Sequence, residues 1–185
     1  MARTTTKPAT KNGEPTAPSA KGAAKSYLGA REVPDLSDDE ARRVVELLQD
    51  RLYSLLDLQL TLKHVHWNVV GPNFIAVHEM LDPQVDATRA MSDAVAERIA
   101  TCGGQPVGTP ERLVKSRSWG EYDLGRASTE AHLIKLDSVY TGVIGDHRRV
   151  MNELGDVDSV SEDLMIGQLG QLELFAWFVR SHLGE

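Results

Sequence analysis

The sequence is poor in cysteine and in aromatic residues, and it has no long apolar run. Cys102 is the only cysteine among 185 residues, so no intrachain disulfide can form, which suits a reducing compartment. No apolar run approaches the roughly 20 residues of a membrane span. The N-terminus has no continuous apolar stretch of the kind found in secretory signals. We therefore expect a cytoplasmic protein without a membrane segment.

Aromatic residues make up 5% of the chain, whereas Ala, Leu, Val, Glu, Asp and Arg dominate after residue 36. This composition favours helices over strands. A chain of 185 residues is by default one domain, and it is long enough to bury a sizeable core. The composition therefore predicts one folded all-α domain.

Charge is divided unevenly along the chain. Residues 1–31 contain six basic residues and one acidic residue, whereas residues 32–185 contain 14 basic and 26 acidic residues. The first segment is also rich in Thr, Pro, Ala, Ser and Gly and cannot bury enough apolar surface to fold, so we expect a disordered basic tail on the folded domain. Four of its lysines are candidates for binding DNA phosphates: Lys7, Lys11, Lys21 and Lys25. A solubilising tail and an organellar transit peptide are the alternatives.

Helical signals begin at Ser37, which forms a capping-box pattern with Glu40. Apolar residues then recur at spacings of three, four and seven, and further leucines, Leu60 among them, widen this stripe. The first helix should therefore be buried on several sides. Stop signals at Gly71 and Pro72 place its end near residues 66–69.

Cap and stop signals divide the rest of the chain into helices at residues 73–102, 110–116, 124–154 and from 159 or 161 to 183. Asn73 is the expected cap of the second long helix, and Pro83 within this helix predicts a kink near residues 79–83. Four long helices, with a short one in the connection between the second and the third, predict a four-helix bundle.

The second helix carries four side chains with metal-ligand chemistry on one face. His78 and Asp82 are four residues apart, as are Asp93 and Glu97. At about 100° per residue, all four fall within an arc of about 100°. A solvated polar face is the usual fate of helical carboxylates. Histidine together with carboxylates, however, is the ligand set of iron, manganese or zinc, which favours a metal site.

The spacing of these side chains along the helix indicates how they meet. At about 1.5 Å per residue, Asp82 and Asp93 lie about 16 Å apart, and His78 and Glu97 about 28 Å, so one helix cannot close all four around one ion. Both pairs share a midpoint near residues 87–88. An antiparallel copy of the helix on a two-fold axis there would bring His78 and Asp82 of one chain to Glu97 and Asp93 of the other. The spacing therefore predicts two equivalent metal sites at a dimer interface.

A di-iron site inside one four-helix subunit is poorly supported. Such sites need Glu-x-x-His on two helices, and this spacing occurs nowhere in the sequence. His66 continues the apolar stripe of the first helix, so a hydrogen-bonded core histidine is the alternative to a ligand there. His64 lies on a different helical face and is expected to be structural or at the surface.

Three runs of sequence resemble the Dps family of ferritin-like proteins over about residues 37–183. The first run is a highly specific match: His66-Trp67-Asn68-Val69-Val70-Gly71, then Val77-His78 and Asp82. The second extends from Asp93 through Ala96-Glu97-Arg98 to Gly103 and Pro106, and the third from Phe175 to Leu183. Ser92 and Cys102 depart from the apolar residues usual in the family, but neither is a proposed ligand. We expect Cys102 to pack in the core.

The resemblance implies a ferritin-like four-helix fold and a hollow dodecamer. It implies a ferroxidase that oxidises Fe(II), preferably with hydrogen peroxide, and stores a ferric iron mineral, which protects DNA from oxidative damage. Many family members also coat DNA, so we expect association with the nucleoid. In that family His66, His78 and Asp82 come from one subunit and Asp93 and Glu97 from its two-fold mate, which is the pairing that the spacing predicts.

Ligand chemistry suggests separate roles within this site. We hypothesise that His66, Asp93 and Glu97 hold the tightest iron ion, and that His78 and Asp82 assist a second ion. Trp67 flanks the site and has two interpretations, as a core-packing residue or as an electron donor during oxidation.

Four acidic residues surround the turn between the third and fourth long helices: Asp156, Asp158, Glu162 and Asp163. They are interpreted either as helix caps and solvated side chains or as part of a negatively charged pore that attracts cations. Two alternatives to a ferroxidase stay open: a nucleoid DNA-binding structural protein with weak or vestigial ferroxidase activity, and a helical interaction protein without metal. The mirrored ligand spacing argues against the latter.

Overall fold

The computed structural model describes residues 29–184. Within this range it contains five helices and two very short strands: α1 (Asp38–Asn68), β1 (Val69–Val70), α2 (Phe74–Thr101), α3 (Pro110–Lys115), β2 (Ala127–Ser128), α4 (Thr129–Gly155) and α5 (Ser159–Leu183). The long helices form a bundle in which α1 packs mainly on α2, and α4 on α5. The predicted four-helix bundle with a short helix in its middle connection is confirmed. Within the described range, no helix has the length and apolar character needed to span a membrane.

The capping box predicted at the start of α1 is confirmed. Ser37 Oγ accepts a hydrogen bond from the Glu40 backbone N–H at 3.3 Å, and the Glu40 carboxylate accepts one from the Ser37 backbone N–H at 2.8 Å. The helix is buried on several sides, because apolar residues occupy more than one of its faces. Leu60 is the exception to the predicted stripe, since it is 58% exposed and lies on a face that residues 29–184 leave uncovered.

The predicted start of the third long helix is wrong. α4 begins at Thr129 rather than at residue 124, because β2 directly before it pairs in parallel with β1. Ser128 then caps α4, and its Oγ accepts a hydrogen bond from the Ala131 backbone N–H at 3.2 Å. Strands of two residues carry no periodic pattern, so the sequence held no signal for this pairing.

The turn into α2 reverses the chain. It depends on Gly71, whose φ of +121° lies in a region that residues with a side chain rarely adopt. Asn73 precedes α2 as predicted, but its side chain makes no capping hydrogen bond. The helix continues through Pro83 without interruption, and the kink in its axis stays a prediction.

Residues 29–31, which the composition assigned to the tail, contact the folded domain. The Gly29 backbone N–H donates to the Gly103 carbonyl at 2.8 Å, and the Glu32 N–H donates to the Thr101 carbonyl at 3.0 Å. The tail lysines Lys7, Lys11, Lys21 and Lys25 lie outside the described residues. The folded domain therefore includes Gly29 and the residues that follow it.

Gly104 packs closely against α1, which makes it sensitive to added volume. A Cβ at this position would lie 2.6 Å from Val45 Cγ2 and 3.0 Å from Ile99 Cγ2. Replacing Gly104 with Ala should lower the free energy of unfolding by about 1–3 kcal/mol through overpacking, visible as a lower Tm in thermal unfolding. Gly120→Ala is the matched control, because a Cβ there meets nothing within 4 Å. Equal Tm values for the two variants would contradict this account.

Candidate metal centre

The reversal between α1 and α2 brings together three side chains with metal-ligand chemistry. His66 lies in the last turn of α1, whereas His78 and Asp82 lie one turn apart in the first half of α2. Their potential ligand atoms all lie within 4.8 Å of one another. Among residues 29–184, no other group of three or more histidine, cysteine or carboxylate side chains comes so close together.

The two histidines are held by a reciprocal pair of hydrogen bonds. His66 Nδ1 lies 3.1 Å from the His78 carbonyl oxygen, and His78 Nδ1 lies 2.9 Å from the His66 carbonyl oxygen. A carbonyl oxygen only accepts, so each Nδ1 donates its hydrogen. In a neutral imidazole this leaves the lone pair on Nε2. The fold therefore sets both residues in the tautomer that binds a metal ion through Nε2.

Ring packing adds to this restraint. The His66 and His78 rings stack with centroids 3.6 Å apart and an interplanar angle of 24°, and the Phe74 ring lies 5.0 Å from the His78 ring. His66 is 8% exposed and hydrogen-bonded, which agrees with the core-histidine interpretation in part. That interpretation does not account for the neighbouring histidine and carboxylate.

Asp82 supplies the negative charge of the cluster. Its Oδ1 lies 3.3 Å from His66 Nδ1 and 2.8 Å from Lys63 Nζ. The hydrogen bond from Lys63 lowers the pKa of Asp82 below its ordinary value, so the carboxyl group is ionised at neutral pH. Its side chain is 50% exposed and thus accessible to an ion from solvent. A metal ion that binds Asp82 must compete with the Lys63 ammonium group.

Lys63 is the residue of this cluster that the sequence did not reveal. It lies three residues before His66 on α1, a spacing that places two side chains on neighbouring positions of one helical face. That spacing was the signal in the sequence that Lys63 lies near His66. An ammonium group is not a metal ligand, however, so nothing in the pattern singled it out.

The other two predicted ligands stand apart from the cluster. Asp93 and Glu97 are exposed on α2 and do not join the group formed by His66, His78 and Asp82. Asp93 instead lines an open groove of about 770 Å³ with a largely apolar wall that includes Leu52, Leu56, Ala90 and Ala96. One chain therefore brings together three of the five predicted ligands. The pairing of the other two with a second copy stays a prediction.

Trp67 and His64 lie on other sides of α1. Trp67 is 71% exposed, so the interpretation as a core-packing residue is wrong within the single chain, because its side chain points away from the bundle. Its role as an electron donor stays a prediction. His64 is structural, in agreement with the sequence: its Nε2 lies 2.7 Å from the Leu124 carbonyl oxygen, and its ring meets Tyr122 edge-on.

The acidic residues at the turn between α4 and α5 differ in burial. Asp158 is 8% exposed and caps α5, where it accepts hydrogen bonds from the Ser161 backbone N–H at 3.2 Å and from Arg98 Nη2 at 2.6 Å. Burial raises the pKa of Asp158, but the bonds from Ser161 and Arg98 outweigh it and hold this pKa below its ordinary value. The capping interpretation is confirmed for Asp158, whose carboxylate is already paired within the chain. The pore interpretation of the cluster stays a prediction. Asp156 and Asp163 are exposed.

Cys102 is fully buried in the core, as predicted. Burial raises the pKa of its thiol, which lowers the fraction of the reactive thiolate. The residue therefore behaves as a small apolar side chain.

The chain is similar to several known proteins over most of its length. A family model described as a ferritin-like domain matches residues 45–185. The chain is 56% identical over 151 residues to a "DNA protection during starvation protein" of Mycolicibacterium smegmatis, and the match covers 82% of each chain. It is 49% identical over 151 residues to a "Fine tangled pili major subunit" of Haemophilus ducreyi, covering 82% of this chain and 80% of that protein. The solved structure of DpsA14 from Streptomyces coelicolor has a TM-score of 0.83 at 55% identity and covers 85% of this chain and 94% of that chain.

Removal of one histidine tests whether the cluster binds metal. His66→Ala should weaken the binding of Co(II), a stand-in for Fe(II) that air does not oxidise, by at least about tenfold, measured by isothermal titration calorimetry. His182→Ala is the control, since His182 is exposed and its Nδ1 lies 2.8 Å from the Phe178 carbonyl oxygen of its own helix. Wild-type affinity in the His66 variant would show that the cluster is not a metal site.

Proposed function

The chain belongs to the Dps family of ferritin-like proteins, and on this basis we propose that it is a ferroxidase that stores the oxidised iron inside a hollow dodecamer of its own copies. The observation that carries this proposal is the cluster of His66, His78 and Asp82, in which hydrogen bonds hold both imidazoles ready to bind through Nε2. A nucleoid structural protein would have no need of such a preset group.

Each site is completed by Asp93 and Glu97 of a second copy related by a two-fold axis. Three observations support this arrangement. The ligands are mirrored about the middle of α2, Asp93 and Glu97 are exposed, and the groove beside Asp93 has an apolar wall of the kind that subunit interfaces cover. The single chain then carries two half-sites, and a dimer carries two whole ones.

Fe(II) enters this site as the substrate. Carboxylates from both copies favour Fe(III) over Fe(II), because negative charge stabilises the more highly charged ion. Two Fe(II) ions each lose one electron to one molecule of hydrogen peroxide, which takes up two protons and leaves as two molecules of water. His66, Asp93 and Glu97 hold one ion, and His78 and Asp82 assist the second.

Lys63 makes the second position the weaker one. Its ammonium group already neutralises Asp82 at 2.8 Å, so a second cation gains less from that carboxylate than the first ion gains from Asp93 and Glu97. A weakly held ion leaves more readily for the cavity after oxidation. Trp67 is exposed and directly follows His66 in the sequence. In this proposal it donates an electron when only one Fe(II) ion is bound.

Mixed assemblies test whether the site is shared between subunits. His66→Ala and Glu97→Ala should each abolish rapid Fe(II) oxidation in stopped-flow measurements. When the two variants are dissociated, mixed and reassembled, half of the random dimers pair one of each. One of the two sites in such a dimer is then fully wild type, so about one quarter of the wild-type rate should return.

A mixture of His66→Ala with His78→Ala is the control, because both changes lie in the same half of the site and no wild-type site can form. Absence of recovery in the first mixture would contradict the shared site. Wild-type rates in the single variants would contradict the ferroxidase itself and favour a DNA-binding protein with a vestigial metal site.

The basic N-terminal segment binds DNA in this proposal. Its lysines Lys7, Lys11, Lys21 and Lys25 precede an acidic folded domain, and the relative from Mycolicibacterium smegmatis is named for DNA protection. Many copies of the segment on one shell would contact phosphates without reading base sequence. The protein would then act in the cytoplasm at the nucleoid.

Deletion of residues 1–28 should abolish the electrophoretic shift of duplex DNA, and binding by the full chain should weaken steeply with salt because counterions are released. The cut precedes Gly29, since residues 29–31 contact the folded domain. A full-length variant with glutamine at the four lysines separates charge from length and should bind as weakly as the deletion. DNA binding by the truncated shell would show that another surface is responsible.

A further inference from the structure

Arg51 and His147 are two of the ionisable side chains that are fully buried inside the bundle, away from the metal centre. Arg51 on α1 and His147 on α4 are both 0% exposed. Arg51 Nη2 donates to Asp50 Oδ2 at 2.7 Å and lies 3.7 Å from Asp146 Oδ2. Asp146 directly precedes His147, so the guanidinium group extends from α1 to the part of α4 that carries His147.

Polar atoms of this pair are left without protein partners. Within the described part of the chain, six buried side-chain nitrogen or oxygen atoms make no hydrogen bond, and three of them are Arg51 Nε, Arg51 Nη1 and His147 Nδ1. Buried polar atoms are rarely left unpaired. Their concentration on two neighbouring residues therefore points to a bound group between them.

The hydrogen bonds around His147 show which kind of atom its Nδ1 is. Gln168 Nε2 donates to the Met91 carbonyl at 3.1 Å, which directs Gln168 Oε1 towards His147 Nε2 at 3.2 Å. An amide oxygen only accepts, so His147 Nε2 carries the hydrogen. Nδ1 of the neutral ring is then an acceptor that requires a donor.

His147 stays neutral at physiological pH. Burial, followed by the positive charge of Arg51, lowers the pKa of His147 to about 4. The remaining charged neighbours are Asp50, Asp146 and Arg149: Arg51 pairs with Asp50 and lies near Asp146, and Arg149 also lies near Asp50. Arg51 and His147 are both fully buried, and Arg51 reaches the residue next to His147, so a guanidinium group with two unpaired donors lies near a neutral ring with an unpaired acceptor.

We propose that the bundle interior binds an ordered water molecule between the Arg51 guanidinium group and His147 Nδ1. Water accepts a hydrogen bond from Arg51 Nε or Nη1 and donates one to His147 Nδ1, and these two bonds lie within the range of two to four typical of a buried water. A halide has no hydrogen to donate to Nδ1, and the guanidinium charge repels a metal cation. The water joins α1 to α4 through the centre of the bundle.

A crystal structure of the full-length assembled protein, grown at neutral pH in bromide and recorded at the bromine absorption edge, tests this site. We expect a density peak within hydrogen-bond distance of Arg51 and of His147 Nδ1, without anomalous signal. An anomalous peak there would identify a halide and overturn the proposal, as would a site without density.

A double-mutant cycle gives a second test in solution. If the water couples the two residues, the Tm loss of the Arg51→Met and His147→Leu double variant should be smaller than the sum of the single losses. Arg51→Met combined with His132→Leu is the control, because His132 is also fully buried on α4 but lies about 22 Å away along the helix. Additive losses in both pairs would overturn the proposal. The crystallographic test uses the unaltered chain, so it still decides the question when a variant fails to assemble.

Discussion

The candidate site depends on the reversal of the chain between α1 and α2. Gly71 permits this reversal because its φ of +121° is open to a residue without a side chain. The reversal sets the last turn of α1 beside α2, so that His66 and His78 each donate to the other's carbonyl oxygen. The same backbone that ends one helix thus selects the tautomer of both ligands, and no separate orienting side chain is required.

A single chain is only half of the proposed catalyst. The three clustered candidate ligands include one carboxylate, Asp82, which Lys63 already neutralises. Two further carboxylates, those of Asp93 and Glu97, lie exposed farther along α2. Separate placement keeps like charges apart in the isolated chain, where their repulsion would be uncompensated. Assembly would concentrate negative charge only where a cation is available to balance it, and the proposed oxidation would then require the oligomer.

Two pairs of polar residues inside the bundle differ in how their hydrogen-bonding atoms are satisfied. Arg98 and Asp158 pair with each other and with the cap of α5, and thereby tie α2 to the start of the last helix. Arg51 and His147 are buried with part of their hydrogen-bonding capacity unused. The first pair is satisfied by protein atoms alone, whereas the second is explained by a small molecule held between two helices.

The sequence by itself determined the helical class, most helix boundaries and the candidate ligands, because caps, stop signals and periodicity act between residues close in the chain. It also predicted that the ligands on α2 cannot meet within one helix. Only the tertiary structure decided the start of α4, the contact of Lys63 with Asp82 and the exposure of Trp67. Each of these depends on which distant segments pack together, and patterns among residues close in the chain do not predict that packing.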